Sequence, residues 1–379
     1  MRTLLSHLFV ILLFAPALVR CQEIPDRSAA PTALASFPIS TDGERLIVPV
    51  KIEDKSYRFL LDTGSAISIF NRAMPLGRLV KSMSGKGSGG EPATIEIREP
   101  PVATIGPFTL DCPDGVLVID VKSFAATIGD DVDGLLGMDF LHRHIVQIDS
   151  DGGELRFFKK LPAEVGSGFH MASSKGKLPH LLVQIADSRD KLFALDTGYL
   201  SESGSLAPDE FTRLSSTGKL TIAGQGLSAN TQGTRTMREG RVDKLVLGDF
   251  EVIAPVFEEG GSNKIGLRLL TRFVATIDFP SDKLYLNKGR RYAEADVWNL
   301  SGLAISRKDG DIVILSVEKD SVAARAGIEA DSSIVKVDGR DGRKVPLAEL
   351  HRLCCTPGKL SLSVKRLDKT VDVELELKH

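Results

Sequence analysis

The chain has 379 residues, 42% of them hydrophobic and 26% charged, which is enough apolar material for two or three cored domains at about 150 residues each. Lys and Arg number 48 against 50 Asp and Glu, a formal net charge of -2. No global basic field therefore points to nucleic acid or to an anionic membrane surface.

The first element in chain order is an apolar run from Leu8 to Val19 behind Arg2, with Val19 and Cys21 where a signal peptidase could cut. The pattern predicts a signal peptide over residues 1–21 and export to a secreted or periplasmic location. The run is shorter than the ~20 residues of a spanning helix, and no other segment approaches that length, so no stable membrane span is expected. Arg20 stands where lipoprotein processing calls for a small residue, so anchoring through Cys21 is not expected. Residues 22–38 read as a linker. Cys112 stands alone and Cys354 and Cys355 are neighbours, so the cysteines form neither a disulfide framework nor the spaced pairs of a zinc site.

Two later stretches repeat each other. Val50 to Ile52, a polar turn at Glu53 to Lys55, and Tyr57 to Leu61 lead into Asp62-Thr63-Gly64. Val183 to Ile185, a polar turn at Asp187 to Asp190, and Leu192 to Leu195 lead into Asp196-Thr197-Gly198. Both predict a β-hairpin whose second strand ends in the motif. A second pair of segments, Leu136 to Leu141 with Ile145 to Asp149, and Ile265 to Leu270 with Val274 to Asp278, aligns without a gap. Gly137 follows Asp62 by 75 residues and Gly266 follows Asp196 by 70. The spacing predicts two β-rich lobes of like architecture, over 39–160 and 177–290, each with one short helix after its second glycine.

Two Asp-Thr-Gly motifs, each after an apolar strand and each with an apolar-apolar-Gly element downstream, resemble the aspartic peptidases, and the short lobes resemble the retropepsin-type branch. The resemblance covers roughly residues 40 to 290. It implies a mainly β, two-lobed, barrel-like fold in which Asp62 and Asp196 meet at a pseudo-twofold interface as the catalytic dyad. Thr63 and Thr197 would brace the dyad across that interface, and Gly64 and Gly198 would allow the tight turn. The chemistry suits the residues: two carboxylates held together cannot both ionise, so one serves as base towards a water and the other as acid. Ser65 follows the first motif and is expected to donate to the nearby carboxylate, making Asp62 the more acidic member and leaving the proton on Asp196. Tyr199 takes the matching place in the second copy. Lys264, where the first copy has Leu135, is expected to disturb the packing of the second lobe's last strand.

Gly85, Gly87 and Gly90 have the GxGxxG spacing of dinucleotide-binding turns, and Gly224 and Gly226 repeat it loosely with Ala229. They lie between strands and not at a strand-to-helix turn. Each group begins soon after its lobe's aspartate, where a retropepsin-like lobe carries its flap, and glycine suits a hairpin that opens for substrate and closes against water. His142 and His144 flank Arg143 without acidic or Cys partners in a ligand spacing and read as a polar surface at a helix end. The chain contains neither HExxH nor GxSxG, so zincin and α/β-hydrolase chemistry are unsupported.

Beyond Arg291 the pattern changes. Gly302-Leu303-Ala304-Ile305, an apolar run at Ile312 to Val317, Ser321 to Ile328, and Asp331 to Gly339 follow in order, with a helix predicted from Leu347 to Cys355 and strands at Leu360 to Arg366 and Thr370 to Leu377. This succession resembles a PDZ domain of bacterial secreted proteases, over 298–379, a small α+β module. The resemblance implies that an extended peptide adds to a sheet edge while its terminal carboxylate is caught by the backbone of Gly302, Leu303, Ala304 and Ile305. Ala304 departs from the second glycine usual there.

Together these features predict an aspartic endopeptidase acting on polypeptides through Asp62, Asp196 and a water, without metal or organic cofactor, with the C-terminal module recruiting substrate. One chain supplies both aspartates, so a monomer carries a whole site. A second function class, an inactive peptide-binding or adaptor protein working through its C-terminal module, shares most of these features; the intact second Asp-Thr-Gly separates the two.

Overall fold

A computed structural model describes residues 32–40, 45–86, 92–121, 132–173, 178–230 and 233–378. The signal peptide and most of the linker predicted ahead of the lobes lie outside these residues, as do Gly87 and Gly90.

Strict alternation builds the first hairpin. In Ile47–Ile52 the side chains of Val48, Val50 and Ile52 are buried while Pro49 and Lys51 face solvent, the period of a half-buried strand. It pairs antiparallel with Lys55–Leu61, Val48 opposite Phe59 and Val50 opposite Tyr57, around a turn in which Glu53 has φ +52. Pro179–Ile185 buries Leu181, Val183 and Ile185 in the same way and pairs with Lys191–Asp196. The chain then returns between neighbours: Gly134–Leu136 runs parallel to Lys55–Leu61 and antiparallel to Ile69–Asn71. Lys264–Gly266 does the same between Lys191–Asp196 and Gly204–Leu206. Short helices follow at Met138–Leu141 and Leu267–Leu270.

The repeat reaches much further than the two elements read from the sequence. One sheet has the order Leu79–Lys86, Pro92–Arg98, Val116–Ile119, Ile69–Asn71, Gly134–Leu136, Lys55–Leu61, Ile47–Ile52, Ala103–Ile105, Phe108–Thr109. The other has Leu220–Asn230, Gly233–Val242, Val256–Glu259, Gly204–Leu206, Lys264–Gly266, Lys191–Asp196, Pro179–Ile185, Lys244–Leu247, Phe250–Ile253. The two correspond strand for strand. Lobe 2 adds the helix Pro208–Ser216 between its third and fourth strands in chain order, and the short strand Ala172–Ser173 beside Pro179–Ile185.

A third sheet joins the lobes. Its centre is Ile145–Asp149 antiparallel to Phe273–Asp278, with Gln147 opposite Thr276 and donating to its hydroxyl at 2.9 Å. Glu154–Phe158 and Lys283–Lys288 flank the centre, and Ala35–Pro38 and Ser167–His170 form the edges. Two predicted boundaries change here. Residues 35–38, read as linker, form a strand because Phe37 buries its ring edge-on against Phe157 at 5.9 Å. The strand Ser167–His170 falls in the stretch left between the two lobe ranges. One hydrophobic core runs through both lobes, with a smaller cluster around Leu60, Ile69 and Leu135 in lobe 1.

The C-terminal unit has a separate core within a sheet ordered Leu303–Lys308, Asp311–Val317, Ser333–Val337, Gly358–Arg366, Lys369–Leu377. The helix Leu347–Cys355 packs on it through Leu347, Leu350 and Cys354, the spacing of one helical face. Its tether is fixed to lobe 2. Asp296 is buried and accepts from Arg272 Nη2 at 2.7 Å, Ser203 Oγ at 2.5 Å and the Val256 amide at 2.9 Å. Arg268 donates to the Val297 carbonyl, and the Arg241 guanidinium lies over the Trp298 ring at 4.8 Å.

Removing Arg272 from its buried ion pair leaves Asp296 to the more distant Arg268 at 4.0 Å, and breaking a buried pair costs about 3 kcal/mol. Arg272→Met is therefore expected to lower stability by about that amount in urea unfolding, whereas Lys244→Met, whose partner Glu251 is exposed, shifts it by less than about 1 kcal/mol.

Candidate active site

The strands Lys55–Leu61 and Lys191–Asp196 deliver Asp62 and Asp196 to the lobe interface, and a reciprocal hydrogen-bond set holds them there. The Thr63 hydroxyl donates to the Leu195 carbonyl at 2.6 Å and accepts from the Thr197 amide at 3.0 Å. The Thr197 hydroxyl donates to the Leu61 carbonyl at 2.8 Å and accepts from the Thr63 amide at 3.1 Å. Both threonines are fully buried, so each of these groups would otherwise be an unpaired polar atom. A hydroxyl that donates one bond and accepts another, on a β-branched residue stiff at χ1, meets the requirement at each position.

Each turn then wraps its own carboxylate and presses on the other. The Gly64 amide donates to Asp62 Oδ1 at 2.8 Å and the Gly198 amide to Asp196 Oδ1 at 3.0 Å. A Cβ at Gly64 would come within 2.4 to 2.5 Å of the Asp196 carboxylate atoms, and one at Gly198 within 2.5 to 2.9 Å of those of Asp62. Only glycine permits that approach. The Asp62 carboxyl is pushed up to about 8, first by loss of solvent and next by the charge of Asp196.

The two halves are unequal in a way that departs from the sequence expectation. The Ser65 hydroxyl donates to the Ile67 carbonyl at 2.7 Å and not to a carboxylate. In lobe 2 the Lys264 ammonium bonds Asp196 Oδ2 at 2.7 Å. The hydrogen bond expected to lower Asp62 is thus absent from Ser65, and the cation contact belongs to Asp196. Nor does Lys264 disturb its strand. Lys264–Gly266 keeps the register of its lobe 1 counterpart, because the long stem takes the charge out of the core to the carboxylate. Tyr199 packs its ring 5.6 Å from the Lys264 ammonium and donates its hydroxyl to Glu258.

Tyr199 leads into a buried acidic patch in lobe 2. Glu202, Glu239 and Glu258 are all buried, with the Arg268 guanidinium donating to Glu202 at 2.7 Å. Glu239 is pushed up to about 8 by burial and then by Glu258. Glu202 lies well above the carboxylate range, from burial opposed by Arg268. No pattern in the sequence marked these residues. Lys264 did leave a signal, a charged residue where the repeat has Leu135.

The glycine-rich candidates fall on hairpins. Gly85 lies in Leu79–Lys86, which pairs with Pro92–Arg98, and Gly224 and Gly226 lie in Leu220–Asn230, which pairs with Gly233–Val242. Among the described residues both stretches lie strand against strand and not at the strand-to-helix turn of a dinucleotide site. Leu303, Ala304 and Ile305 sit in the edge strand Leu303–Lys308, with Gly302 just before it. The Asn299 side chain accepts from the Ser301 and Gly302 amides at 3.0 and 3.2 Å, and the Ser301 hydroxyl accepts from Leu303 at 3.1 Å. Two amides of the supposed carboxylate loop are thus already engaged. His144 is half-buried among the rings of Phe108, Phe140 and Phe157, where burial pushes it down to about 4; it is a packing residue and not the polar surface expected. Among the described residues no group of three His, Cys, Asp or Glu is placed to hold a metal ion.

A family model described as aspartyl protease matches residues 48–140, the part of lobe 1 that carries Asp62 and its parallel return strand. Among solved structures the chain is similar to an aspartic proteinase from Irpex lacteus, with 17% identity and a TM-score of 0.42 over 70% of this chain and 99% of that one. No curated protein matches the sequence.

The raised Asp62 carboxyl has a consequence for stability. Its unfolded value lies near 3.8 and its folded value near 8, so between those limits the folded chain holds a proton that the unfolded chain has lost. Stability is full below pH ~4 and falls as pH rises through about 8. Asp62→Asn, which mimics the protonated group, is expected to reduce the difference in unfolding free energy between pH ~5 and pH ~8, measured by urea denaturation.

Proposed function

We propose that the protein is an aspartic endopeptidase that hydrolyses peptide bonds with Asp62, Asp196 and a water molecule. The observation that carries this reading is the reciprocal threonine set, which holds two Asp-Thr-Gly turns so close that each glycine presses on the opposite carboxylate. Such a pair in a water-poor interface holds one proton between two acids. In the reaction, ionised Asp196 takes a proton from the water as its oxygen bonds to the scissile carbonyl carbon, and Asp62 gives its proton to the carbonyl oxygen. Collapse of the tetrahedral species returns that proton to Asp62, breaks the carbon–nitrogen bond, and passes the proton on Asp196 to the leaving nitrogen. The match of residues 48–140 to an aspartyl protease family model supports the same reading.

The hairpins Leu79–Lys86 with Pro92–Arg98 and Leu220–Asn230 with Gly233–Val242 serve in it as flaps over the bound chain. The C-terminal unit serves as a PDZ-like recruiter of polypeptides. Among the described residues its edge strand Leu303–Lys308 pairs on one side, with Asp311–Val317, which leaves an edge for strand addition. The engaged Gly302 and Leu303 amides favour an internal segment of substrate over a terminal carboxylate. The protein would act as a secreted or periplasmic monomer, since both aspartates come from one chain.

Incubation with a denatured protein is expected to yield cleavage by the parent and loss of at least about 10³-fold in rate for both Asp62→Asn and Asp196→Asn, the scale of losing a general acid or base. Cleavage surviving in either variant, or absent from the parent, would remove the dyad reading in favour of a peptide-binding protein. Ser65→Ala, whose hydroxyl bonds the Ile67 carbonyl, is expected to leave both limbs of the pH–rate profile in place.

A further inference from the structure

The two Asp-Thr-Gly copies differ most at the second oxygen of each carboxylate. On Asp196, Oδ1 accepts from the Gly198 amide and Oδ2 from the Lys264 ammonium at 2.7 Å. On Asp62, Oδ1 accepts from the Gly64 amide, and the Gly198 turn presses on the carboxylate. Leu135, the lobe 1 counterpart of Lys264, is buried and apolar, so of these two matching positions the one in lobe 2 carries a cation.

The backbone fixes that cation. Lys264 stands opposite Ala194 in a parallel ladder and opposite Ser205 in an antiparallel one, held from both sides two residues before the Gly266 turn. Its side chain is 34% exposed while that of Asp196 is 7% exposed, so the ammonium bridges a dry carboxylate and the open side of the site. The Tyr199 ring lies 5.6 Å from it, and the Tyr199 hydroxyl is committed to Glu258. Tyr199 therefore supplies no hydroxyl to Asp196 from the place that Ser65 holds in lobe 1. The titratable and charged groups around the ammonium are Asp196, Asp62, Tyr199 and, behind Tyr199, Glu258.

We propose that Lys264 is a positioning residue of the dyad, whose ammonium keeps the pair's single negative charge on Asp196 and moves the pH window of the one-proton state to lower pH. The inference rests on the peptidase reading and sharpens it, since it makes Asp196 the base and Asp62 the acid. A cation beside the pair stabilises the singly ionised state relative to the neutral one and the doubly ionised state relative to the singly ionised one. Both limbs of a bell-shaped pH–rate profile therefore sit lower with the lysine than without it. The contribution of Lys264 to Asp62 has that sign, opposing the larger upward effects of burial and of Asp196.

The test compares the full-length parent with Lys264→Met, which keeps the stem and removes the charge, Lys264→Leu, which installs the lobe 1 residue, and Lys264→Arg. The readouts are kcat/KM against pH on an unstructured peptide and 13C titration of the aspartate carboxyls in the folded proteins. Both limbs are expected to rise by about one pH unit, a tenfold change in proton affinity, in the Met and Leu variants. Arg is expected to return them towards the parent's. Unmoved limbs and carboxyl titrations in Met and Leu would overturn the inference, as would faster cleavage with unmoved limbs, which would make the ammonium a plug. A parent without activity in which the carboxyl titrations still shift would remove the peptidase reading while keeping the role of Lys264 in the pair's charge.

Discussion

The constraint on which the site depends is the exchange of four hydrogen bonds between Thr63 and Thr197 and the carbonyls and amides of the opposite turn. In a buried interface none of these groups can turn to water, so separating the lobes would strand two carbonyls and two amides at once. The carboxylates are carried along as consequences: each is wrapped by the amide two residues on and pressed by the glycine of its neighbour. The joining sheet works in the same direction, aligning Ile145–Asp149 with Phe273–Asp278 so that the lobes meet in one register.

Symmetry of the scaffold does not make the chemistry symmetric. Nine strands correspond in order between the lobes, yet lobe 1 surrounds its return strand with Leu60, Ile69, Val121, Val132 and Leu135. Lobe 2 sets Lys264 there, with Tyr199 and the buried glutamates behind it. An apolar surround leaves Asp62 with burial as the largest influence on its proton, whereas Asp196 has a cation in contact. Two identical tripeptides thus acquire different surroundings from residues dozens of positions away.

What the sequence made legible follows from how local each signal is. The hairpins, the Gly137 and Gly266 elements and the helix Leu347–Cys355 rest on period and on turn residues, and the structure has them at the predicted places. The short strands Ala35–Pro38 and Ser167–His170 carry too few residues for a period to register; pairing with Glu154–Phe158 and Lys283–Lys288 decides them. The role expected of Ser65 failed because a hydroxyl takes whichever acceptor the folded turn offers, and Ile67 O lies two residues away. Lys264 stands out in the repeat as a misfit, but its place beside Asp196 does not follow from that, since nothing in one sequence tells where the tip of a four-carbon stem ends.

Lobe 2 also carries the C-terminal unit, and its ionic interior fits that load. Arg268 joins the two, donating to Glu202 on one side and to the Val297 carbonyl on the other. Three buried glutamates around few cations would repel one another if all were ionised. Glu202 and Glu239 are instead raised by burial, so near neutral pH the patch holds protons and less charge. Its upper edge meets the unit directly: a Cβ at Gly224 would lie 3.1 Å from Glu318, and Arg241 stacks on Trp298. Gly224 and Arg241 stand on opposite strands of the lobe 2 hairpin. The base of that hairpin is therefore held by the C-terminal unit as well as by its own lobe, and the asymmetry that begins at Lys264 extends from the carboxylates to the element proposed to close over them.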